Sequence, residues 1–383
     1  MVPLPIALML ARAISMLSRI LRQGEGATLS GKVLLALRPR AISELTRGRR
    51  VVLVSGTNGK TSTSSMLAAM LGEKFLVGGN RTGANLNTGI AASLVAAKKS
   101  NLLIFEVDEL YLPSIIKETA PEIVLLLNLS RDQLHRTQEV RIVARKWYEA
   151  LAAFPKTPVI IDASDPFLAS VVRDHGPVTR IGFGKRPHLD AASCPTCGAM
   201  LDWSGAQFAC HDCGLGAREV DSELVEMSAV ERNHALAASV ATYFGIDDLS
   251  KFSPRDRIST LLLGGIEISL RLVKNPSSWQ EGLRSLADEP VILVVNARGV
   301  DGLDTSWLWD VDFTPLKGRY VVIAGERKLD AAYRVHIDGV GYSLVDSLSN
   351  AAAQIYRDGF TRAQALTSYT AFIDATTRVK GKR

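Results

Sequence analysis

The sequence has 383 residues, so a single hydrophobic core is excluded and two or three domains are expected. Hydrophobic residues make up 47% of the chain and charged residues 22%, which is ordinary for a soluble globular protein. The net charge of +6 is mildly basic. It fits a solvated surface, or a weak preference for an anionic partner such as a phosphorylated substrate or a membrane face.

The amino-terminal stretch MVPLPIALMLARAISMLSRILRQGEG predicts an amphipathic helix. Arg12 interrupts its apolar run too early for a membrane span, and no cleavage pattern of a signal peptide is present. Apolar residues recur at helical spacing, namely Ile6, Leu10, Ile14, Leu17 and Leu21. We expect this helix to pack on its own domain, with a membrane-surface helix as the alternative. The expected location is the cytoplasm, with a peripheral position at the inner membrane face left open.

From about residue 50 to 170, short apolar strands alternate with helical segments. The predicted strands are RVVLVSG, NLLIFEVDE, PEIVLLLNLS and TPVIIDASDP. Such near-continuous apolar strands between helices predict an α/β fold with a parallel sheet that is covered on both faces. Ligands bind at the carboxyl ends of the strands in such sheets, so the polar residues after these strands are the candidate site.

The first of these strands leads into a glycine-rich turn and then a helix, in VVLVSGTNGKTSTSSML. This order predicts a phosphate-binding loop, in which backbone N–H groups and Lys60 face the anion and Thr61 holds Mg²⁺. The strict pattern is not met, because Val54 stands where its first glycine belongs. The strand before and the helix after favour nucleotide binding over a structural turn. The predicted nucleotide-binding residues are Gly56, Thr57, Asn58, Gly59, Lys60, Thr61 and Ser62.

The next strands end in further polar residues. FEVDE places Glu106, Asp108 and Glu109 at a strand end, where a carboxylate can bind Mg²⁺. Alone, three acids would more often form a solvated turn. Beside a phosphate loop, we favour Glu106 as the metal ligand. The following strand leads to NLSRDQLH, which offers Asn128, Arg131, Asp132 and His135.

All four cysteines lie in two Cys-x-x-Cys pairs, each followed by glycine: Cys194, Cys197, Cys210 and Cys213. This spacing predicts a zinc ribbon, inserted at about residues 190–219, rather than free thiols or disulfides. Four thiolates would leave no coordination position for water or substrate, so we expect a structural zinc. His211 is expected to be an ordinary loop residue. The module has few basic residues, which argues against nucleic-acid binding.

After the cysteines, AVERNHALAASVATYFG returns to a helix, and a polar stretch near residue 250 predicts a domain boundary. The remainder again alternates strands and helices and predicts a second, smaller α/β domain. We therefore expect an ATP-binding domain over residues 1–250 with the ribbon inserted, and a C-terminal domain over 251–383.

The segment GTNGKTS resembles the ATP-binding loop of the Mur ligases and folylpolyglutamate synthetases. The resemblance implies an ATP-dependent ligase that couples a carboxylate to an amine through an acyl phosphate. It implies catalytic roles for Lys60 and Glu106. The helix ERNHALAAS resembles the one whose asparagine contacts adenine in this family, which indicates Asn233.

A Mur-type loop with an inserted four-cysteine ribbon resembles the MurT family, the synthetase subunits of lipid II isoglutaminyl synthase. The segment GGNRTGANLNTGI, with Asn80, Arg81 and Asn85, is similar to that family, as are LVKNPSSWQE and VDGLDTSWLWDVDF. The resemblance implies amidation of the D-glutamate α-carboxylate in the lipid II stem peptide, as a step of peptidoglycan biosynthesis. The ammonia would come from a GatD-type glutaminase partner.

In that family an aspartate of the C-terminal domain completes the partner's catalytic triad, where it would orient an imidazole. The matching residue here is Asp304, with Asp310 as the second choice, and either could instead only cap a turn. Two other functions stay open. One is a stand-alone ligase that joins an amino acid to a carboxylate without a partner. The other is a zinc-ribbon protein that binds nucleic acid and uses the nucleotide as a switch.

Overall fold

The computed structural model describes residues 2–20, 26–80, 84–97, 99–132, 139–216, 220–225, 227–253, 258–299 and 301–380. The chain divides into two compact units. The N-terminal unit comprises Met1–Ser130 and Leu134–Arg255, and the C-terminal unit comprises Asp256–Arg383 together with the tripeptide Arg131–Gln133. Each unit is described by itself.

The N-terminal unit is built on a seven-stranded sheet in the order β2-β3-β1-β4-β5-β6-β7. Each of its strand pairings is parallel, which confirms the predicted parallel α/β sheet. Its strands are β1 (Arg50–Ser55), β2 (Val77–Gly79), β3 (Leu102–Val107), β4 (Ile123–Leu126), β5 (Val159–Asp162), β6 (Val178–Gly182) and β7 (Ser222–Glu223).

Helices cover both faces of this sheet. They are α1 (Leu4–Ile20), α2 (Gly26–Leu37), α3 (Ala41–Thr46), α4 (Lys60–Leu71), α5 (Asn87–Ala96), α6 (Leu112–Thr119), α7 (Val140–Ala152), α8 (Pro166–Val171) and α9 (Ala229–Tyr243). Successive side chains of a strand point to opposite faces, so β1 serves two cores. Val51 and Leu53 pack into one hydrophobic cluster, and Val52 and Val54 pack into the other, with α4 and α9.

Helix α1 packs on its own unit, but not through the apolar stripe that its spacing suggests. Ala7 and Ala11 are fully buried, whereas Ile6, Leu10 and Leu17 are 41% to 57% exposed. The small alanine side chains let α1 approach α2 closely, because the distance between helix axes follows the side chains at the contact. None of the helices in the described part of the chain is long and apolar enough to cross a membrane.

The cysteine-bearing segment lies between β6 and β7. Two antiparallel bridges, Ser193 with Met200 and Asp202 with Ala209, give it a short hairpin-like form. Phe208 from this segment is 1% exposed and packs in the same hydrophobic cluster as strand β1. The segment is therefore continuous with the core of the N-terminal unit.

The C-terminal unit has a six-stranded sheet in the order β12-β11-β10-β13-β9-β8, in which only the β8–β9 pairing is antiparallel among the described strands. The strands are β8 (Ile258–Leu263), β9 (Ile266–Leu272), β10 (Val291–Val294), β11 (Val321–Ala324), β12 (Ser343–Leu344) and β13 (Arg362–Thr367). The helices are α10 (Pro276–Arg284), α11 (Lys328–Ile337), α12 (Leu348–Arg357) and α13 (Tyr369–Lys380), with short 3₁₀ helices at Ser306–Asp310 and Thr314–Leu316.

Candidate functional site

A glycine-bounded loop connects the end of β1 to the first turn of α4. Gly59 has a φ of +84°, a conformation that side chains rarely adopt, and it directly precedes the helix. A Cβ added to Gly59 would lie 2.2 Å from the amide nitrogen of Asn233, and one added to Gly56 would lie 3.0 Å from the backbone of Asn128. The loop is thus a tight turn that leads directly into the amino end of α4, and a helix amino end suits an anion.

The segment after β4 holds this loop in place. The N–H of Asn58 donates to Asn128 Oδ1 at 2.9 Å, and Asn128 Nδ2 donates to the carbonyl of Asn58 at 3.0 Å. The hydroxyl of Thr57 accepts from the N–H of Ser130 at 3.0 Å and donates to its carbonyl at 3.2 Å. Asn128, which the sequence only marked as following a strand, therefore positions the phosphate loop.

Lys60 is buried and ion-paired in this structure. Its Nζ lies 2.9 Å from Glu109 Oε2 and also donates to the carbonyl of Gly56. Glu106, Asp108 and Glu109 are all buried, at 3%, 3% and 6% exposure, so a solvated turn is wrong for this segment. The sequence indicated three acids near the loop but did not indicate that Glu109 is the counter-ion of Lys60.

Glu106 offers a carboxylate oxygen without a protein partner. Strand β3 pairs with β1 so that Glu106 lies opposite Val54, two residues before the loop. Asn80 fixes the Glu106 backbone, accepting its N–H at 2.9 Å and donating to its carbonyl at 2.7 Å. Within the described residues, Glu106 Oε2 is buried and accepts no hydrogen bond. An orphaned carboxylate oxygen beside a phosphate loop fits Mg²⁺, which prefers oxygen ligands.

The remaining predicted nucleotide-binding residues also lie around the loop. Thr61 and Ser62 are half-buried in the first turn of α4. Asn233 lies on α9, a helix that begins with a capping box between Ser228 and Glu231 and packs against α4. Its side chain contacts Gly59. Contact of Asn233 with adenine stays a prediction.

A second acidic group at the same edge of the sheet was not predicted as part of the site. Asp162 ends strand β5, and burial raises its pKa to about 6, although Arg186 lies 3.3 Å away and acts in the opposite direction. Nearby, Asp165 accepts the N–H of Leu129 at 2.7 Å and lies 3.7 Å from His188. The signal was available in VIIDASDP, since these acids directly follow a strand.

The four cysteines are brought together. Their sulfur atoms all lie within 4.8 Å of one another, with 3.6 Å between Cys194 and Cys213 and 3.5 Å between Cys197 and Cys210. These distances exceed the S–S bond of a disulfide, about 2.05 Å. They match the edges of a tetrahedron with Zn–S bonds of about 2.3 Å. His211 instead contacts Asp202 at 2.9 Å and is exposed.

The two candidate aspartates of the C-terminal unit differ in their surroundings. Asp304 is exposed, and its carboxylate accepts the N–H and the hydroxyl of Ser306, both at 2.8 Å. It therefore does cap a turn, and its exposure leaves it accessible. Asp310 forms an ion pair with Arg131 at 3.1 Å. Asp132 likewise pairs with Lys274 of LVKNPSSWQE, at 2.6 Å.

Two further residues that the sequence indicated, Arg81 and His135, lie outside the described residues.

Comparison with known proteins shows similarity to the Mur ligases in both units of the chain. Residues 54–212 match the Mur ligase middle domain, and residues 272–372 match the MurT ligase C-terminal domain. The MurT subunit of the glutamine-hydrolysing lipid II isoglutaminyl synthase of Streptococcus pneumoniae is 28% identical, with 92% of each chain covered. The corresponding subunit from Staphylococcus aureus is 24% identical, over 84% of this chain and 85% of that protein.

Solved structures agree on the fold. A pseudomurein peptide ligase type C from Methanothermus fervidus superimposes with a TM-score of 0.66 at 14% identity, covering 88% of this chain and 79% of that one. The MurF ligase of Thermotoga maritima in complex with ADP gives 0.62 at 15% identity, covering 90% and 81%. The chain thus matches a Mur ligase middle domain followed by a MurT ligase C-terminal domain, and it is an ATP-dependent ligase that resembles the MurT subunits.

Proposed function

We propose that this chain is the synthetase subunit of a two-component amidotransferase. It would amidate the α-carboxylate of D-glutamate in the lipid II stem peptide to give D-isoglutamine. The observation that carries the proposal is the similarity to two MurT subunits along most of the chain, including the C-terminal domain that gives the second family match. The reaction would take place in the cytoplasm where a lipid-linked substrate is presented, at a membrane surface.

The phosphate loop supplies the first half of the chemistry. A carboxylate oxygen of the substrate attacks the γ-phosphorus of ATP, so ADP leaves and an acyl phosphate forms. Ammonia then attacks the carbonyl carbon, phosphate leaves, and a proton is lost to give the amide. Lys60 and the amino end of α4 would offset the charge on the transferred phosphoryl group. Glu106 and Thr61 would hold Mg²⁺, which neutralises phosphate charge when bound.

The ion pair of Lys60 implies that this lysine has one counter-ion without nucleotide and another with nucleotide bound. With no nucleotide, Glu109 compensates the buried ammonium group. A nucleotide phosphate would take over that role, because a buried ammonium group is costly to leave without a counter-charge. ATP binding would then release the Glu109 carboxylate within the site.

The four-cysteine cluster would bind one structural Zn²⁺. Cys194 and Cys210 are buried in the core of the N-terminal unit, and their neighbour Phe208 packs there too. Arg141 of α7 donates to the carbonyl of Cys194 at 3.1 Å and so links the ribbon to a core helix. All four thiolates would be used by the metal, which leaves it a scaffold role.

A GatD-type glutaminase would supply the ammonia and bind the C-terminal unit near Asp304. Thr305, the next residue, accepts a hydrogen bond from Arg327 at 3.2 Å, which places Asp304 beside the start of α11. That helix exposes a stripe of large apolar side chains, Leu329, Tyr333 and Ile337, at 67%, 62% and 51%. Trp309, 55% exposed, contacts Tyr333 with ring centroids 6.1 Å apart. An apolar surface beside an accessible aspartate supports a protein partner there.

The test compares nitrogen donors with ATP, Mg²⁺ and lipid II. The chain alone should form amide from ammonium, and glutamine should serve only with the glutaminase. Asp304→Asn should lose glutamine-dependent amidation by about 100-fold or more, while ammonium-dependent amidation stays within about twofold. Asp310→Asn is the matched variant, and the larger loss identifies the triad residue. Amino-acid-dependent ATP hydrolysis without a partner would instead favour the stand-alone ligase.

A further inference from the structure

The positive charge of the chain is concentrated at its amino end. The first 40 residues contain six cationic side chains and one acidic one, Glu25, and hence a charge of +5 out of the +6 of the whole chain. The other 343 residues are therefore close to neutral. Arg38 is paired with Glu44 at 2.7 Å, and the remaining excess of positive charge in this segment favours anions near it.

The outer face of α1 is apolar and uncovered within the described part of the chain. Ile6, Met9, Leu10, Met16 and Leu17 are 46%, 62%, 41%, 69% and 57% exposed. At about 100° per residue they fall within an arc of about 120°, opposite the buried Ala7 and Ala11. These five side chains form what we call the α1 outer face.

A helix that only packs on its own domain does not require an apolar outer face. Ala7 and Ala11, with Leu4 and Leu8 beside them, already make the contact with the core, and the five large outer side chains are not needed for it. Single exposed apolar residues are common in proteins, but a contiguous stripe marks an interaction surface. Arg12 is exposed and projects at the border of the stripe.

From these observations, we propose that the α1 outer face docks on a bilayer surface that contains anionic lipids. The helix would lie in the interface, with its apolar side chains at the boundary of head groups and acyl chains and its arginine among the head groups. The positive charge of the segment favours an anionic bilayer surface over a neutral apolar partner. The inference goes beyond the proposed amidation and does not depend on it.

Vesicle flotation of the full chain tests the proposal. The probes are phosphatidylglycerol–phosphatidylcholine vesicles and vesicles of phosphatidylcholine alone, at low and high salt. We expect at least tenfold more protein bound to the anionic vesicles at low salt, with most of that excess lost at high salt because the attraction is screened. Leu10→Ser/Leu17→Ser should lower this binding by about tenfold or more. Leu76→Ser/Leu262→Ser, a matched pair of exposed leucines elsewhere, should leave it unchanged.

Folding is controlled through the circular dichroism and the ATP affinity of the Leu10→Ser/Leu17→Ser variant, which should equal those of the wild type. As a second measurement, Leu17→Trp should give a blue-shifted emission on anionic vesicles only. Equal binding to both vesicle types, or binding that the Leu10→Ser/Leu17→Ser pair does not change, overturns the proposal. It is overturned as well if sedimentation shows that the wild type dimerises through this face and vesicle binding is absent.

Discussion

Lys60 Nζ and Glu109 Oε2 lie 2.9 Å apart in a pocket where both side chains are less than 10% exposed. The lysine that should meet the nucleotide is thus already paired with a protein carboxylate. Each group is deprived of water, so removing one partner leaves the other as an uncompensated buried charge. We therefore expect nucleotide binding to replace Glu109 with a phosphate as the counter-ion of Lys60.

The exchange predicts opposite effects of Glu109→Gln on stability and on affinity. Without nucleotide, the variant should lower the free energy of unfolding by about 3 kcal/mol, because the buried charge of Lys60 loses its counter-ion. ATP should bind about tenfold more tightly, since no ion pair has to be broken. Calorimetric titration and denaturant unfolding measure the two quantities.

Glu73→Gln is the control for this experiment, since Glu73 pairs with Lys251 at 2.6 Å on the surface. It should change both quantities by less than about 0.5 kcal/mol. Weaker ATP binding by Glu109→Gln would contradict the exchange and would assign Glu109 a direct role in holding the nucleotide or its metal.

Gly59→Ala should abolish ATP binding. The added Cβ would lie 2.2 Å from the amide nitrogen of Asn233, so the loop or α9 would have to move. Gly48→Ala is a matched control, because its φ of +74° is also unfavourable for alanine but nothing lies within 4 Å of the added atom. It should cost about 1 kcal/mol of stability and leave ATP affinity unchanged. If the two variants bind ATP equally well, the tight loop is not the nucleotide site.

The cysteine cluster predicts one zinc ion per chain. Elemental analysis should find one equivalent of zinc, and Cys197→Ser should lose it and lower the melting temperature of the N-terminal unit. His211→Ala should keep the metal, because this side chain contacts Asp202 and not the cysteines. Full zinc in Cys197→Ser, or none in the wild type, would refute the site.

Asp162 predicts a pH dependence with a definite sign. Burial raises its folded pKa to about 6 from an ordinary value of 3.8, so the folded state binds the proton more tightly than the unfolded state. Stability is therefore lost as the pH rises from about 4 to about 6. Asp162→Asn has no such loss, so its stability relative to the wild type should increase by about 1.4 kcal/mol between pH 5 and pH 8. Denaturant unfolding at the two pH values measures this change.

Asp202→Asn is the contrasting variant. Hydrogen bonds from Ser204 and His211 lower the pKa of Asp202 to about 2. A lowered carboxylate pKa contributes stability that is present above the unfolded pKa and is lost only in acid. The difference between this variant and the wild type should therefore stay constant between pH 5 and pH 8. A constant difference for Asp162→Asn as well would show that Asp162 titrates normally.

The alternation of apolar strands and helices was enough to predict the parallel sheet, because buried parallel strands have a distinctive composition. The tight turn before α4 was also predictable, because Gly56, Gly59 and Lys60 lie within five residues of one another, and its role in binding phosphate stays a prediction. The pairing of Lys60 with Glu109 was not predictable, because all three neighbouring acids are buried and only the folded loop determines which of them reaches the lysine. Asp162 was missed as a site residue, and Asn128 was named as a candidate without its role, because both come near the loop only through the order of strands in the sheet.

Helix α1 shows the limit of periodicity. Its spacing correctly predicted an amphipathic helix, but its fully buried residues are Ala7 and Ala11, while Ile6, Leu10 and Leu17 are exposed. Hydrophobicity alone ranks leucine above alanine for burial. In α1 the alanines are buried instead, because small side chains allow close packing against α2. This cannot be read from the sequence of α1 alone.

The central claim is that the phosphate loop activates a carboxylate of lipid II for amidation. The most direct measurement incubates the purified chain with ATP, Mg²⁺, lipid II and ammonium and follows the product by mass spectrometry. The account predicts the mass shift of about 1 Da from acid to amide, dependent on ATP, and at least 1,000-fold slower product formation in Lys60→Ala. Unchanged lipid II from a chain that still binds ATP would contradict the account and would direct attention to amino-acid acceptors.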